Sequence, residues 1–294
     1  MPTVNAVPDF LAFWDQAALL AAPLQVMSWE KAYYEPYRQV FDLYFTRWGE
    51  RARLQEAMTG YPAVIDRVRA LSRPLNGEIE QVTMHVSSIL AAVAAIDVIA
   101  FVGVFGAGSW SWPVFSRPAA LVTLESFADV ASLRLALAHE VTHAIAANAA
   151  GIGFSETHRY QNDLLFNLVF EGLATLVSTW VCPGHGDARY LWARDAGAAG
   201  PRPATDRLAW CDAHRRDLIR AFSQESLANE PAVDERYFGL DAGTGFMGQA
   251  ATGRWLAMQF ARETFDQASV AGALAAGVES LRATAAAWLR RAAR

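Results

Sequence analysis

Residues 89–106 are apolar throughout except for Asp97, and a run of that length approaches what a helix needs to cross a bilayer. It leaves two folds open, a membrane span or a deeply buried core element. An ionised Asp at the middle of a spanning helix costs roughly 2.5–3.5 kcal/mol. Gly103 and Gly106 interrupt a helical pattern, and the β-branched Val98, Ile99, Val102 and Val104 favour a strand. The reading is a helix that ends near Ile96, followed by a buried strand over residues 98–105. A chain of 294 residues, 53% of them apolar, has ample material to enclose that strand.

Before this run, aromatic and charged side chains recur at spacings of three and four, as in Trp29-Glu30-Lys31-Ala32-Tyr33-Tyr34, which predicts helices. Pro74, Asn76 and Gly77 punctuate them, and residues 78–96 read as a further helix. Beyond the strand, residues 106–113 read as a loop, whose Trp110 and Trp112 either rim a cleft or plug the core. A second strand is predicted over residues 119–124. The period then changes to that of a helix: Ser126 and Asp129 make a Ser-x-x-acid start and Gly151 a stop, predicting a helix over 127–150. A polar stretch at 155–162 precedes a helix over 163–180 with Leu164, Leu168, Val169, Leu173 and Leu176 in its apolar stripe. An Ala/Gly/Pro connector at 196–203 leads to helices over 206–222, 248–265 and 280–291. The expected class is α+β and mainly helical, with a helical part over 1–97, a core over 98–181 and a helical part over 182–294 that completes a cleft.

The first of those two predicted helices carries His139-Glu140-Val141-Thr142-His143. Histidines four positions apart lie about 40° apart around a helix, so both imidazoles point to one side and can bind one metal. Glu140 is turned roughly 100° from His139, too far round to be a natural ligand but able to reach a water at the metal. That is the arrangement of metal-assisted hydrolysis, in which the carboxylate acts as general base. The rival reading is a helix whose two histidines are satisfied by neighbours. It must explain two imidazoles and a carboxylate among the alanines and leucines of residues 135–147, an expensive burial without coordination.

A catalytic zinc wants a third protein ligand. The metzincin pattern is excluded, because Ala146 and Ala149 stand where its Gly and His would be. On the next predicted helix Glu171, in Phe170-Glu171-Gly172-Leu173-Ala174, is a lone carboxylate among apolar residues, and a metal is a good partner for it. With these residues the chain resembles the gluzincins, zinc peptidases with His-Glu-x-x-His on one helix and a ligating Glu on the following one. The later Glu-Gly-x-Ala makes it similar, more narrowly, to bacterial predicted zinc-dependent proteases of the YjaZ type. The resemblance covers residues 119–180. It implies a zincin-like core in which a small sheet packs on the active-site helix and its edge strand pairs with an extended peptide. It also implies His139, His143 and Glu171 as zinc ligands and Glu140 as general base. Two positions depart from the family pattern. Thr175 stands where many gluzincins have an Asp supporting a ligand histidine, and Phe246, in Gly245-Phe246-Met247-Gly248, where relatives have a Tyr.

A hydrolase of this kind needs a donor for the oxyanion, and Tyr237 is the first candidate, followed by His214, Tyr160 and His158. Cys182, His185, Cys211 and His214 share a Cys-x-x-His spacing and make a sufficient ligand set for a structural zinc. A turn, a helical pair or a disulfide are the alternatives for these four. His85, on an apolar helix, reads as a satisfied core histidine. With a formal charge of −5, two cysteines and no leader-like start, the chain is expected to be cytoplasmic and to engage neither nucleic acid nor membrane. The expected function is zinc-dependent peptide hydrolysis on peptides or unfolded protein segments. The alternatives are an inactive zinc-binding scaffold for a partner, or a zinc hydrolase of a non-peptide amide or ester.

Overall fold

The apolar run resolves into parts of two elements. In the computed structural model, which describes residues 3–92, 95–114, 117–152, 159–192, 204–240 and 242–294, a helix Leu75–Ile89 ends within it and a fully buried strand Asp97–Phe101 follows. The helix is shorter than predicted at its end, where Ala91 turns to a φ of 46°, and longer at its start. Pro74 precedes its first turn, where Asn76 and Gly77 are tolerated. Asp97 is buried and ion-paired with Arg117 on the neighbouring strand, 3.1 Å away. Burial raises its carboxyl pKa while Arg117 pulls it back.

The sheet has four strands, β1 (Thr3–Asn5), β2 (Asp97–Phe101), β3 (Ser109–Val114) and β4 (Arg117–Thr123), in the order β1-β2-β4-β3. Strand β2 pairs parallel with β1 and β4, and β3 is an antiparallel edge. Two of these were not expected: β1 lies in the part predicted to be helical, and β3 in the predicted loop. The alternation Ser109-Trp110-Ser111-Trp112 has the strand period of two, which the surrounding Gly, Ser and Pro obscure. Pro113 is compatible with a strand here because β3 is at the sheet's edge.

One face of the sheet meets an aromatic layer from the helices Val7–Ala17, Ala22–Trp29 and Arg38–Arg47. Trp110 is buried there, with its ring centroid 4.5 Å from that of Trp48 and 5.7 Å from that of Tyr44. Trp112 lies under the Arg47 guanidinium at 3.9 Å. Both tryptophans therefore belong to the packed layer, not to a cleft rim.

The strand predicted over 98–105 pairs only as far as Phe101, yet residues 102–104 are buried too. Their backbone groups go to side chains instead of a ladder. The Tyr33 hydroxyl accepts from Val102 N–H at 2.8 Å, and the Tyr44 hydroxyl from Val104 and Gly106 N–H at 3.2 and 3.1 Å. The Glu125 carboxylate accepts from Gly103 N–H at 3.0 Å and Phe105 N–H at 3.3 Å. Burial pushes the Glu125 pKa from 4.5 up to about 7, against the pull of those N–H groups and of Arg67. Between those two values the folded chain holds a proton the unfolded chain has lost. The group's contribution is thus fully present below 4.5 and is lost as pH rises through 7, about 3 kcal/mol in all. Urea unfolding at a series of pH values should show this decline, and Glu125→Gln should flatten it; an unchanged slope in the variant would assign the decline to other groups.

Against the sheet's other face packs the helix Val130–Ala149. Asp129 caps it by accepting from Ser132 N–H at 2.7 Å, and Gly151, at a φ of 74°, ends it. Ser126 is not the cap; it closes a turn over Leu124–Ser126, with its hydroxyl 3.1 Å from that of Thr123. From Ser132 to Ala147 only Arg134 and His143 are not fully buried, so this helix is enclosed on nearly all sides and its alanines admit close neighbours. Arg134 reaches Glu78 on Leu75–Ile89 at 2.6 Å.

The helix Leu164–Val181 starts at Asp163, which accepts from Phe166 N–H at 2.9 Å. It is long and apolar enough to cross a membrane, and 72% of it is buried inside the protein. It packs against Val130–Ala149, Thr252–Thr264 and Val278–Ala292. The helix predicted over 206–222 divides at His214 into Ala204–Ala213 and Arg215–Glu225. Short helices Asp187–Trp192, Pro231–Phe238 and Val270–Ala275 were not expected. His85 is exposed on Leu75–Ile89, which corrects its reading as a core histidine. The connector at 196–203 and His158 lie outside the described residues.

Candidate metal centre

Helical periodicity turns His139 and His143 to the same side of Val130–Ala149, and their Nε2 atoms are 2.9 Å apart. Leu164–Val181 crosses beside them and brings Glu171, whose Oε1 is 3.2 Å from His143 Nε2 and whose Oε2 is 3.5 Å from His139 Nε2. For zinc bonds of about 2.0–2.1 Å a tetrahedral set has edges of about 3.3 Å. The three separations bracket that edge, so the donors suit one small divalent ion in number, type and spacing. Among the described residues this is the one group of His, Cys, Asp and Glu side chains gathered closely enough to hold a metal. His139 is buried and the other two are largely so.

Gly172, beside Glu171, lets the helix that carries it pack closely on Thr252–Thr264. A Cβ at this position would sit 2.3 Å from the carbonyl oxygen of Ala257, so the helices Leu164–Val181 and Thr252–Thr264 touch backbone to backbone. Gly172→Ala must push them apart, an overpacking that costs typically 1–3 kcal/mol. The variant should melt at lower temperature and bind zinc more weakly as Glu171 shifts from its place against the histidines. Wild-type values for both would show that the crossing gives way without disturbing the centre.

Glu140, next to His139 on the same helix, reaches the sheet's edge strand. The Ser109 hydroxyl, at the start of β3, donates to Glu140 Oε1 at 3.0 Å. The phase of β3 follows from one bond, Thr123 N–H to Gly108 C=O at 2.8 Å. In the antiparallel register it directs the backbone groups of residues 108, 110 and 112 to β4, and those of 109 and 111 away from it. Pro113 falls on the outward phase, where its missing N–H costs no ladder bond.

Sequence reasoning missed Ser109, and also Asn167 and Asp234. Asn167, one turn before Glu171, donates to Asp234 Oδ1 at 2.6 Å. Burial pushes the Asp234 pKa up to about 6; the Asn167 bond opposes the rise and the charge of Glu171 adds to it. The only signal for Ser109 was the alternation of β3. Nothing local marked Asp234, which arrives from a distant short helix.

The remaining candidates have partners of their own. Tyr237 is fully buried, its hydroxyl donates to Glu225 at 2.9 Å and its ring stacks on Phe246, so its polar end is committed to a carboxylate in the helical packing. Burial and that bond raise its pKa well above the usual tyrosine value. His214 stacks on Trp210, with Nδ1 2.8 Å from the Trp210 carbonyl, and Tyr160 stacks on Phe166. Thr175 is buried one turn beyond Glu171.

Cys182, His185, Cys211 and His214 do not form a second site, because they do not converge. Cys182 ends Leu164–Val181, Cys211 is buried within Ala204–Ala213, and both are free thiols. Burial raises their pKa values to about 11 and about 12, which disfavours the thiolate a metal requires.

No family model, curated protein or solved structure matches this chain.

Proposed function

We propose that this protein is a zinc-dependent hydrolase of the gluzincin kind, acting on peptide bonds in extended peptides or unfolded segments. The observation that carries the reading is the convergence of His139, His143 and Glu171 from two adjoining helices, with Glu140 beside them on a hydrogen bond to the sheet's edge. His139, His143 and Glu171 hold the ion. A bound zinc supplies Lewis acidity, which brings the pKa of water to about 7 and polarises a carbonyl. Glu140 takes the proton from the attacking water and returns it to the leaving amine. The outward backbone groups of Ser109 and Ser111 offer an extended peptide a short antiparallel or parallel rung beside Glu140. A sheet face packed on the helix of His139 and His143, with its edge strand bonded to Glu140, supports reading the core as zincin-like.

The test is metal analysis combined with hydrolysis of an unstructured peptide library. One zinc per chain, with cleavage that stops on chelation and returns with zinc, supports the reading. Bound zinc without turnover on peptides moves the assignment to a binding scaffold, and turnover confined to small amides or esters moves it to a non-peptide hydrolase.

A further inference from the structure

We propose that Ser109 is a positioning residue for Glu140, its hydroxyl fixing the rotation of the carboxylate that serves as base. The inference rests on the hydrolase reading above and adds a residue to it.

A glutamate on a helix has three rotatable side-chain bonds, and a base must be held within a few tenths of an ångström of its working place. The helix alone does not provide this. The Ser109 hydroxyl does, at 3.0 Å from Oε1, and what holds Ser109 is itself held. The Thr123 hydroxyl donates to the carbonyl of Ala107 at 3.0 Å, and Thr123 N–H donates to that of Gly108 at 2.8 Å. Ala107 N–H donates to the Trp48 carbonyl at 3.0 Å. Upstream, Glu125 and Tyr44 bind four consecutive N–H groups, those of Gly103, Val104, Phe105 and Gly106. The next residue, Trp110, is buried against Trp48 on the opposite face. Ser109 thus enters β3 from a segment with little freedom, and its side chain faces the metal-bearing helix because that of Trp110 faces the aromatic layer.

Ser109 also has its backbone on the outward phase of β3. One residue therefore touches the base through its side chain and offers its backbone to an extended substrate. A peptide seated on the edge and the carboxylate that serves it share a single anchor.

The experiment uses the full-length zinc-loaded protein and the variants Ser109→Ala and Ser109→Thr, alone and combined with Glu140→Gln. Ser109→Ala is expected to lower kcat about 10–100-fold, the scale of a misplaced catalytic group, with KM within about twofold and zinc content unchanged. Ser109→Thr keeps the hydroxyl on a residue that suits a strand and should recover most of the loss. In the Glu140→Gln background Ser109→Ala should change nothing further. Independently of turnover, calorimetry with a peptide hydroxamate, which chelates the metal and hydrogen-bonds the base, should show weaker binding to Ser109→Ala than to Ser109→Thr. Wild-type kcat in Ser109→Ala, or no recovery in a folded, zinc-loaded Ser109→Thr, overturns the positioning role and leaves the hydrolase reading intact. A wild-type protein that hydrolyses nothing overturns the hydrolase reading, and the positioning role with it.

Discussion

Glu140→Gln should abolish hydrolysis while leaving zinc in place. The amide keeps the size of the side chain and can still meet the Ser109 hydroxyl through its carbonyl oxygen, but it cannot accept a proton. Removing a general base costs typically 10²–10⁴-fold in rate, so kcat should fall by about that factor. Metal content should stay near one ion per chain, because the ligand atoms come from His139, His143 and Glu171. A calorimetric zinc titration beside a single-turnover assay separates the two effects. Cleavage at the wild-type rate in the zinc-loaded variant would remove Glu140 from the mechanism, whereas loss of zinc would make it part of the metal's support instead.

Glu171→Ala should do the reverse and remove the metal. Losing a partner that merely orients a ligand costs 10–100-fold in metal affinity, and losing a ligand itself should cost more than about 100-fold. Two imidazoles at i and i+4 would be left without the carboxylate that neutralises charge and supplies the other two edges of the set. The effect appears in stability as well as in binding. An ion present at about a thousand times its Kd stabilises the folded chain by about 4 kcal/mol. Wild type and Glu140→Gln should therefore melt higher when zinc is added, and Glu171→Ala should not. A wild-type zinc response in Glu171→Ala would mean that the third ligand comes from another residue.

Both variants concern residues that the sequence marked in advance, and the reason is local. His139 and His143 share a side because a helix repeats about every 3.6 residues, and helix formation was legible from the residues around them. Glu171 was legible for a different reason, as a charge in an apolar stripe that demands a partner. Its distance from the histidines was not legible, since it depends on how Leu164–Val181 packs against Val130–Ala149.

Errors cluster where tertiary pairing overrides local pattern. Residues 3–5 form a strand only because β2 offers them a parallel edge, and three residues carry no period of their own. Strand β3 hid behind turn-forming residues. The predicted strand over 98–105 was right about burial, but its second half hands its N–H groups to Glu125, Tyr33 and Tyr44, which lie far off in the chain. The partner of Tyr237 was equally illegible: its hydroxyl donates to Glu225, on another helix. The Cys-x-x-His pairs repeat a spacing, and spacing alone does not bring two elements together.

By itself the sequence determined the class, mainly helical with a small sheet, and which side chains would share a helix face. These follow from periodicity, which acts over a few residues. Only the tertiary structure decided that Glu171 would meet the histidines, that β3 would form the sheet's edge, and that Ser109 would hold Glu140. Those contacts join residues far apart along the chain, and the energy that selects them comes from burial and backbone pairing across the whole core, which no short window of sequence contains.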